Sequence, residues 1–163
     1  MRLCVLSDTH IPDRSETLPE ALVKDIKKAD MVIHAGDFTS RDCYETIRSL
    51  NPNIKAVLGN IDAPELAGVL KEKETFAVGK FKVGLMHGFG KPECILDNVK
   101  KAFNGSYDLV IYGHAHEPFC EKIGKTLYFN PGSPTDKIFA PYNAYGIIAN
   151  DATIDARIIR ISS

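Results

Sequence analysis

The sequence predicts an α/β protein built as a four-layer α/β/β/α sandwich, with two mixed β-sheets face to face and helices on their outer sides. Up to residue 58, apolar runs typical of buried strands alternate with amphipathic helical segments, which is the pattern of parallel strands joined by right-handed crossovers. Beyond residue 75, short apolar runs separated by two-residue turns instead indicate hairpins. These two patterns favour two sheets, and we expect a single domain over residues 1–163.

The first half of the chain contains three predicted strands and two predicted helices. The strands are residues 2–6, 31–34 and 54–58. Each is a nearly continuous apolar run of the kind that is buried on both faces. The first helix follows Thr17-Leu18-Pro19-Glu20, which has the spacing of a capping box with proline in the first turn. The second helix begins near Ser40, a residue type favoured at helix N-caps.

The second half contains a hairpin, a helix, a central strand and two further hairpins. The predicted strands are residues 75–78, 81–86, 109–112, 119–123, 126–129, 145–149 and 153–161. Gly79-Lys80, Gly124-Lys125 and Asn150-Asp151 supply the turns. The helix begins at Pro92-Glu93 and ends at Asn104-Gly105. We expect this half of the chain to be largely antiparallel.

Charge and composition exclude several classes of protein. The formal net charge of −1 gives no basic footprint, so we expect no bulk nucleic-acid binding. The first apolar run reaches Ser7-Asp8 too soon for a signal peptide, and no segment is long enough to span a membrane, so we expect a cytoplasmic protein. The cysteines form no C-x-x-C pair and are expected to be reduced and mostly buried thiols. They are Cys4, Cys43, Cys94 and Cys120.

Polar side chains follow five of the predicted strands, at the point where each strand ends. They are Asp8, His10, Asp37, Asn60, His87, His114 and His116. Because ligands of α/β sheets gather beyond the carboxyl ends of the strands, we expect these groups to converge on one crevice. Seven nitrogen and oxygen donors are too many for one tetrahedral zinc ion, but they suit two octahedral-type divalent ions that share a carboxylate. Two such ions can activate a water and hold the phosphoryl oxygens of an in-line displacement.

Five motifs, in chain order, resemble those of the calcineurin-like metallophosphoesterases. They are Asp8-x-His10, Gly36-Asp37, Gly59-Asn60, His87-Gly88 and Gly113-His114-x-His116. The short chain and the segment Asn130-Pro131-Gly132-Ser133 resemble the small prokaryotic phosphodiesterase subfamily. The resemblance runs from Asp8 to about Ser133. It implies the metallophosphoesterase fold and a divalent-metal-dependent phosphodiesterase.

The resemblance also implies a role for each of these residues. One metal would be held by Asp8, His10, Asp37 and His116. The other would be held by Asp37, Asn60, His87 and His114. A hydroxide between the two metals would attack the phosphorus of a small or medium soluble phosphate ester, and the residues expected to be catalytic are Asp37, Asn60 and His87. Family members use manganese most readily, and the alternatives are nickel, iron, zinc and magnesium.

One position departs from the family pattern. Many members have a histidine directly after the asparagine of the third motif, near the leaving group, whereas this chain has Ile61. A proton donor or phosphate contact is therefore missing at that position. Other members of the small subfamily also lack it, so its loss does not exclude activity. The general acid, the natural substrate, the native metal and the preference for monoesters or diesters stay open.

Several residues outside the motifs have a structural interpretation that competes with a functional one. A buried, hydrogen-bonded histidine is favoured over a metal ligand for His34. Asp62 could support a ligand or be a turn carboxylate, and Asn130-Pro131-Gly132-Ser133 is favoured as a turn. Lys137 is favoured as a solvated side chain. The loop aromatic residues could wall a pocket or pack against the second sheet; they are Phe89, Phe139 and Tyr142.

Two non-catalytic functions are alternatives to an enzyme. The phosphoesterase-like subunit of the retromer coat is a small eukaryotic relative that serves as a protein-binding scaffold, and Asp8-Thr9-His10-Ile11-Pro12 resembles its first motif. That relative lacks the asparagine ligand, which is present here as Asn60, so the resemblance favours the enzyme. A purely structural metal site is disfavoured because structural sites are usually closed. The oligomeric state, including a homo-oligomer, stays open.

Overall fold

The computed structural model describes residues 1–162. The strands are β1 (Arg2–Leu6), β2 (Met31–His34), β3 (Ile54–Ala56), β4 (Lys73–Val78), β5 (Phe81–Met86), β6 (Leu109–Ile111), β7 (Phe119–Ile123), β8 (Thr126–Asn130), β9 (Ala144–Asn150) and β10 (Ile154–Arg160). The α-helices are α1 (Glu20–Lys28), α2 (Arg41–Leu50) and α3 (Ile95–Ala102). Short 3-10 helices cover Pro64–Gly68 and Pro92–Cys94.

The strands form two mixed sheets of five strands each. The order in the first sheet is β10-β9-β1-β2-β3, and in the second it is β4-β5-β6-β8-β7. In the first sheet, β1, β2 and β3 are parallel, and β9 is antiparallel to both β1 and β10. In the second sheet, β6 is parallel to β5 and to β8, and only the outer pairs are antiparallel. The prediction of a largely antiparallel second half therefore holds for β4-β5, β7-β8 and β9-β10, whereas the central pairs β5-β6 and β6-β8 are parallel. The chain returns through α3 before β6 and through β7 before β8, so β6 and β8 both begin at the same end of the sheet as β5.

Three apolar clusters fix the order of the layers. Successive side chains of a strand point to opposite faces, and in β1 the side chains of Cys4 and Leu6 pack under α1 and α2, whereas Leu3 and Val5 pack against the second sheet. The third cluster joins the outer face of the second sheet to α3, through Val99 among others. The layers therefore follow the order helices, sheet, sheet, helix. The predicted four-layer sandwich of two mixed sheets is confirmed.

Of the predictions on helix caps and cysteines, one is confirmed, one is wrong and one holds in part. Ser40 caps α2 as predicted, since its Oγ accepts a hydrogen bond from the Cys43 amide at 3.1 Å. The predicted capping box of α1 is wrong: the helix begins after Pro19 with no side-chain cap, and the backbone amide and carbonyl of Thr17 contact the Ser15 hydroxyl in a local turn. The prediction that the cysteines are mostly buried holds for Cys4 and Cys43 only; the exposed ones are Cys94 and Cys120. Within residues 1–162, no helix combines the length and the apolar character needed to cross a membrane.

Candidate metal centre

The seven predicted ligands lie on five loops that each begin where a strand ends. The first sheet supplies Asp8 and His10 after β1, Asp37 after β2 and Asn60 after β3; the second supplies His87 after β5 and His114 and His116 after β6. The loops of the two sheets meet directly, since the His114 amide donates to Asp8 Oδ2 at 3.1 Å. The Ser133 hydroxyl, on the loop after β8, donates to the Asp8 carbonyl at 2.7 Å. The structure therefore brings all seven side chains to one edge of the sandwich.

Glycines allow these loops to come close. A Cβ on Gly113 would lie 1.8 Å from the Ser7 Oγ, and a Cβ on Gly59 would lie 1.9 Å from Asp37 Oδ1. Neither space can hold a methyl group, so both positions require glycine. Two of the motif glycines therefore serve the close packing of the ligand loops.

The backbone of the ligand loops is strained. Six non-glycine residues among those described have positive φ, and five of them are predicted ligands: Asp8, His10, Asp37, His114 and His116, with φ between 42° and 68°. The left-handed conformation costs such residues about 1–2 kcal/mol each. Strain of this kind persists where the surrounding structure enforces it, and it is concentrated at functional sites. Its concentration in one crevice marks these loops as a site.

One group of donor atoms is formed around Asp8, His10 and His116. The Nε2 atoms of the two histidines are 3.2 Å apart. The Asp8 Oδ1 atom lies 3.2 Å from His116 Nε2 and 3.7 Å from His10 Nε2. Metal bonds of about 2.1 Å place neighbouring ligands roughly 3 Å apart. The spacing therefore suits a cation between these three side chains.

A second group of donor atoms is formed around Asn60, His87 and His114. The Asn60 Oδ1 atom is 2.9 Å from His87 Nε2 and 3.0 Å from His114 Nδ1, and these two nitrogens are 3.2 Å apart. Asp37 Oδ2 lies 3.2 Å from His87 Nε2 in this group and 3.8 Å from His10 Nε2 in the first. Asp37 is therefore positioned between the two groups.

The Asp8 carboxylate has an unpaired oxygen. Oδ1 is buried and has no hydrogen-bond partner among the described residues. Ring nitrogens of His10, His87 and His116 surround it at 3.2–3.8 Å, but none is aligned to donate to it. A buried acceptor left unpaired is costly, and more so when it is charged. A cation at this position would satisfy it, so the residues present fit a metal ion.

Hydrogen bonds orient three of the histidine rings. Nδ1 of His87 lies 2.8 Å from the Ala35 carbonyl, and Nε2 of His114 lies 3.2 Å from the Gly90 carbonyl. Nδ1 of His116 contacts a carboxylate oxygen of Asp136. Because these oxygens only accept, each contacting nitrogen carries the proton in the neutral ring. The opposite ring nitrogen therefore presents its lone pair to the crevice, as in known metal sites.

Neighbouring side chains in the crevice shift the pKa of several groups. Burial lowers the pKa of His87, but the Asp8 and Asp37 carboxylates outweigh it and raise the value to about 9. Burial is likewise outweighed at His116, where Asp8 and Asp136 raise the pKa to about 9. Burial acts to raise the pKa of Asp8, yet the neighbouring imidazoles hold it well below its usual range. The carboxylates and imidazoles of the crevice therefore favour one another's charged forms.

Asp136 belongs to this site, although the sequence did not single it out. It is 1% exposed and contacts the ring of His116. Burial raises the pKa of Asp136, but hydrogen bonds from the Ile138 amide and from His116 lower it overall. The signal that could have identified it is its position just past β8, beyond the segment Asn130-Pro131-Gly132-Ser133. That segment is more than a turn, because Asn130 Nδ2 donates to the Gly113 carbonyl at 3.0 Å.

Asp62 holds two ligand loops together. Its Oδ2 accepts from the amides of Asp37 and Gly59 at 3.1 and 2.7 Å, and its Oδ1 accepts from the Thr39 amide at 2.9 Å. Of the two interpretations left open by the sequence, support of a ligand is the one that these contacts favour.

His34 is a buried, hydrogen-bonded histidine, as predicted. It is 0% exposed, its Nδ1 accepts from the Gly36 amide at 3.1 Å, and its Nε2 lies 3.2 Å from the Thr9 hydroxyl. The ring stacks on Phe38 with centroids 3.6 Å apart. Burial lowers the pKa of His34 to about 3. This ring therefore stays neutral near pH 7 and fixes the loop that carries Asp37.

His34 should make the protein acid-sensitive. Its pKa of about 3 in the folded protein lies below the ordinary value of 6.5, so the unfolded chain binds the proton first as the pH falls. The contribution of His34 to the free energy of unfolding is complete above pH 6.5 and is lost as the pH falls toward 3. Between about pH 6 and pH 4.5, the free energy of unfolding should fall roughly 2 kcal/mol further in the unmodified protein than in His34→Gln. Urea unfolding at both pH values measures this difference, and equal losses would contradict the assignment.

A cavity of about 310 Å³ opens over the donor atoms. Besides metal-site side chains, it is lined by Arg14, Ile61, Pro92, Ala115 and Phe139. A larger cavity of about 590 Å³ lies beside α1 and α2, but it is mainly apolar and contains none of the seven ligand residues. The smaller cavity is therefore the candidate active site.

Comparison with known proteins identifies the relatives of this chain. Residues 1–152 match the family model of the calcineurin-like phosphoesterase superfamily domain. A relative from Methanothermobacter thermautotrophicus, named "Probable metallophosphoesterase", is 33% identical over 163 residues, which cover 98% of this chain and 92% of that protein. Vacuolar protein sorting-associated protein 29 of Schizosaccharomyces pombe is 26% identical over 142 residues, covering 83% of this chain and 73% of that protein.

A solved structure shares the fold. It is described as a novel archaeal phosphodiesterase, and it matches with a TM-score of 0.78 and 26% sequence identity. The match covers 99% of this chain and 100% of that chain. The two mixed sheets and their helices are therefore common to both proteins.

Proposed function

The chain belongs to the calcineurin-like phosphoesterase superfamily, and from this premise we propose that it is a divalent-metal-dependent phosphodiesterase. The observation that carries the proposal is one crevice that gathers seven donor groups, among them Asp8 with an unpaired buried oxygen. The similarity to an archaeal phosphodiesterase supports phosphodiesters as the class of substrate. The expected substrate is a small or medium soluble phosphate ester.

The proposed ligands divide into two sets. Asp8, His10, Asp37 and His116 would hold one cation, and Asp37, Asn60, His87 and His114 would hold the other. Bound cations would supply an activated water and neutralise the charge on the phosphoryl oxygens. The mixture of oxygen and imidazole donors is compatible with manganese, which we favour, and also with nickel, iron, zinc or magnesium.

Two carboxylates orient the site, and neither Ile61 nor His34 is available as a proton donor. Asp136 fixes the ring of His116, and Asp62 fixes the loop of Asp37. Ile61 is 48% exposed in the cavity and cannot donate a proton from its side chain. His34 is enclosed and engaged in hydrogen bonds. The turnover should therefore favour esters whose leaving group departs without a proton, such as nitrophenolates.

We expect diesters to be preferred over monoesters. A diester carries one negative charge and a second organic group, which suits a cavity with one arginine and apolar walls at Ile61 and Phe139. With manganese-loaded protein, kcat/KM for bis(4-nitrophenyl) phosphate should exceed that for 4-nitrophenyl phosphate by about tenfold or more, equivalent to about 1.4 kcal/mol. A higher kcat/KM for the monoester would contradict the diester assignment.

A protein-binding scaffold is the second candidate function. The similarity to vacuolar protein sorting-associated protein 29 favours it, as do exposed apolar side chains near the crevice, with Phe89 at 55% and Phe139 at 68% exposure. Retention of Asn60 and of the other six donors favours the enzyme. A metal-loaded protein without turnover on either ester would favour the scaffold. The cytoplasmic location, the lack of bulk nucleic-acid or membrane binding and the oligomeric state stay predictions.

A further inference from the structure

An arginine shares the candidate active-site cavity with the metal-ligand residues. Arg14 is the one lysine or arginine among the residues that line this cavity. It belongs to the same turn as His10, since its amide donates to the His10 carbonyl at 2.7 Å. Its side chain is 30% exposed. A positive charge is thus present in the cavity that Ile61 also lines.

The guanidinium of Arg14 lies beside the Asp136 carboxylate without a hydrogen bond to it. Its Nε lies 3.9 Å from Asp136 Oδ1, which is too long for a hydrogen bond. That carboxylate oxygen already accepts from the Ile138 amide at 2.9 Å, and the other oxygen contacts the His116 ring. Asp136 therefore leaves the N–H donors of Arg14 available to a ligand in the cavity.

Phe139 forms an apolar wall beside this arginine. It is 68% exposed and lines the cavity, and its ring centre lies 5.4 Å from the Arg14 Cζ and 6.1 Å from the ring centre of His116. Its amide donates to Asp136 Oδ2 at 3.3 Å. Asp136 thus contacts a ligand histidine and the segment that carries an exposed aromatic ring, and it lies 3.9 Å from Arg14. This arrangement places an anion-binding group and an aromatic surface side by side.

We propose that Arg14 and Phe139 form a subsite that selects phosphodiesters bearing an aromatic group. Arg14 donates hydrogen bonds to an anionic phosphoryl oxygen, an interaction for which the guanidinium is well suited. Phe139 packs against the aromatic ester group. Because arginine keeps its proton, Arg14 binds the substrate and does not act as a general acid. The inference rests on the proposed phosphodiesterase function and adds the class of substrate.

Two phosphinates test the subsite without turnover. Diphenylphosphinate and dimethylphosphinate are monoanions with phosphorus–carbon bonds in place of ester bonds, so their binding can be measured on the metal-loaded protein by calorimetry. The unmodified protein should bind diphenylphosphinate about tenfold more tightly. Arg14→Gln should weaken the binding of both anions by about tenfold or more. Phe139→Ala should weaken the binding of diphenylphosphinate alone.

Matched controls separate the subsite from general effects. Arg48→Gln removes a 55% exposed arginine of α2, and Ile138→Ala removes a 66% exposed apolar side chain next to Phe139. Neither residue lines the cavity over the donor atoms. Both variants should keep the dissociation constants of the two phosphinates within about twofold of the unmodified values. Metal analysis should give the same metal content in all variants.

Three results would overturn the subsite. The first is unchanged binding of both phosphinates by Arg14→Gln. The second is an equal loss for both phosphinates in Phe139→Ala. The third is loss of metal from Arg14→Gln, which would place Arg14 in support of Asp136 and His116 instead. Ester turnover without phosphinate selectivity would refute the subsite alone, whereas selectivity in a protein without turnover would refute the proposed function alone.

Discussion

Asp37→Asn is expected to lose both bound metals and at least about 10³-fold in turnover of bis(4-nitrophenyl) phosphate. Asp37 Oδ2 lies 3.2 Å from His87 Nε2 and 3.8 Å from His10 Nε2, so this carboxylate is beside both donor groups. Losing a charge shared by two cations should cost about 4 kcal/mol of transition-state stabilisation, which corresponds to about 10³-fold in rate.

Asparagine is the informative substitution because it keeps the shape of the side chain. Asp37 Oδ1 accepts a hydrogen bond from the Ile61 amide at 3.0 Å, and the amide oxygen of asparagine can retain it. Asp97→Asn is the matched control, since Asp97 is 71% exposed on α3 and pairs with Lys100. Metal analysis and turnover are measured on both variants. If Asp37→Asn retained two metals and turnover within about tenfold of the unmodified protein, the shared role of Asp37 would be wrong.

Metal loading is expected to raise the thermal midpoint substantially. The buried Asp8 Oδ1 has no partner among the described residues, and five ligand residues adopt strained backbone conformations. A cation that binds only the folded protein stabilises it by about 2.7 kcal/mol at a free concentration of 100 times its dissociation constant. For a chain of this size, about 1 kcal/mol shifts the midpoint by roughly 2–4 °C, so one occupied site should add roughly 5–10 °C.

Thermal unfolding with excess manganese and with chelator measures this shift. Asp97→Asn should show the full difference between the two conditions, whereas Asp37→Asn should show little. An identical midpoint in manganese and in chelator would exclude tight binding to the folded state. A shift of full size in Asp37→Asn would mean that the stabilising metal binds elsewhere.

Strand positions and the convergence of the polar groups could be predicted from local sequence. Buried parallel strands such as β1 are nearly continuous apolar runs, so their ends are visible where Ser7 and Asp8 interrupt the run. The carboxyl ends of parallel strands share one edge of a sheet, which places Asp8, Asp37 and Asn60 together without further information. The second sheet supplies His87, His114 and His116 at the same edge because the sheets pack face to face.

Features that depend on how distant segments meet could not be predicted. Nothing near β6 in the sequence shows that β8 pairs with it in parallel, because that register depends on the path through β7. Asp136 contacts His116 only after β8 has entered the second sheet, so the local pattern shows its position just past β8 but not this contact. The predicted cap at Thr17 failed for a local reason instead. The Thr17 amide donates to the Ser15 hydroxyl in a turn that competes with the capping box.

Turnover by metal-stripped protein tests the proposed metal-dependent centre most directly. The protein is treated with chelator, freed of it, and assayed on bis(4-nitrophenyl) phosphate while manganese is added in steps. The stripped protein should show no turnover above background, and activity should rise until about two equivalents of manganese per chain are bound. Full turnover by the stripped protein, with its metal content verified as negligible, would contradict a metal-dependent phosphodiesterase at this crevice.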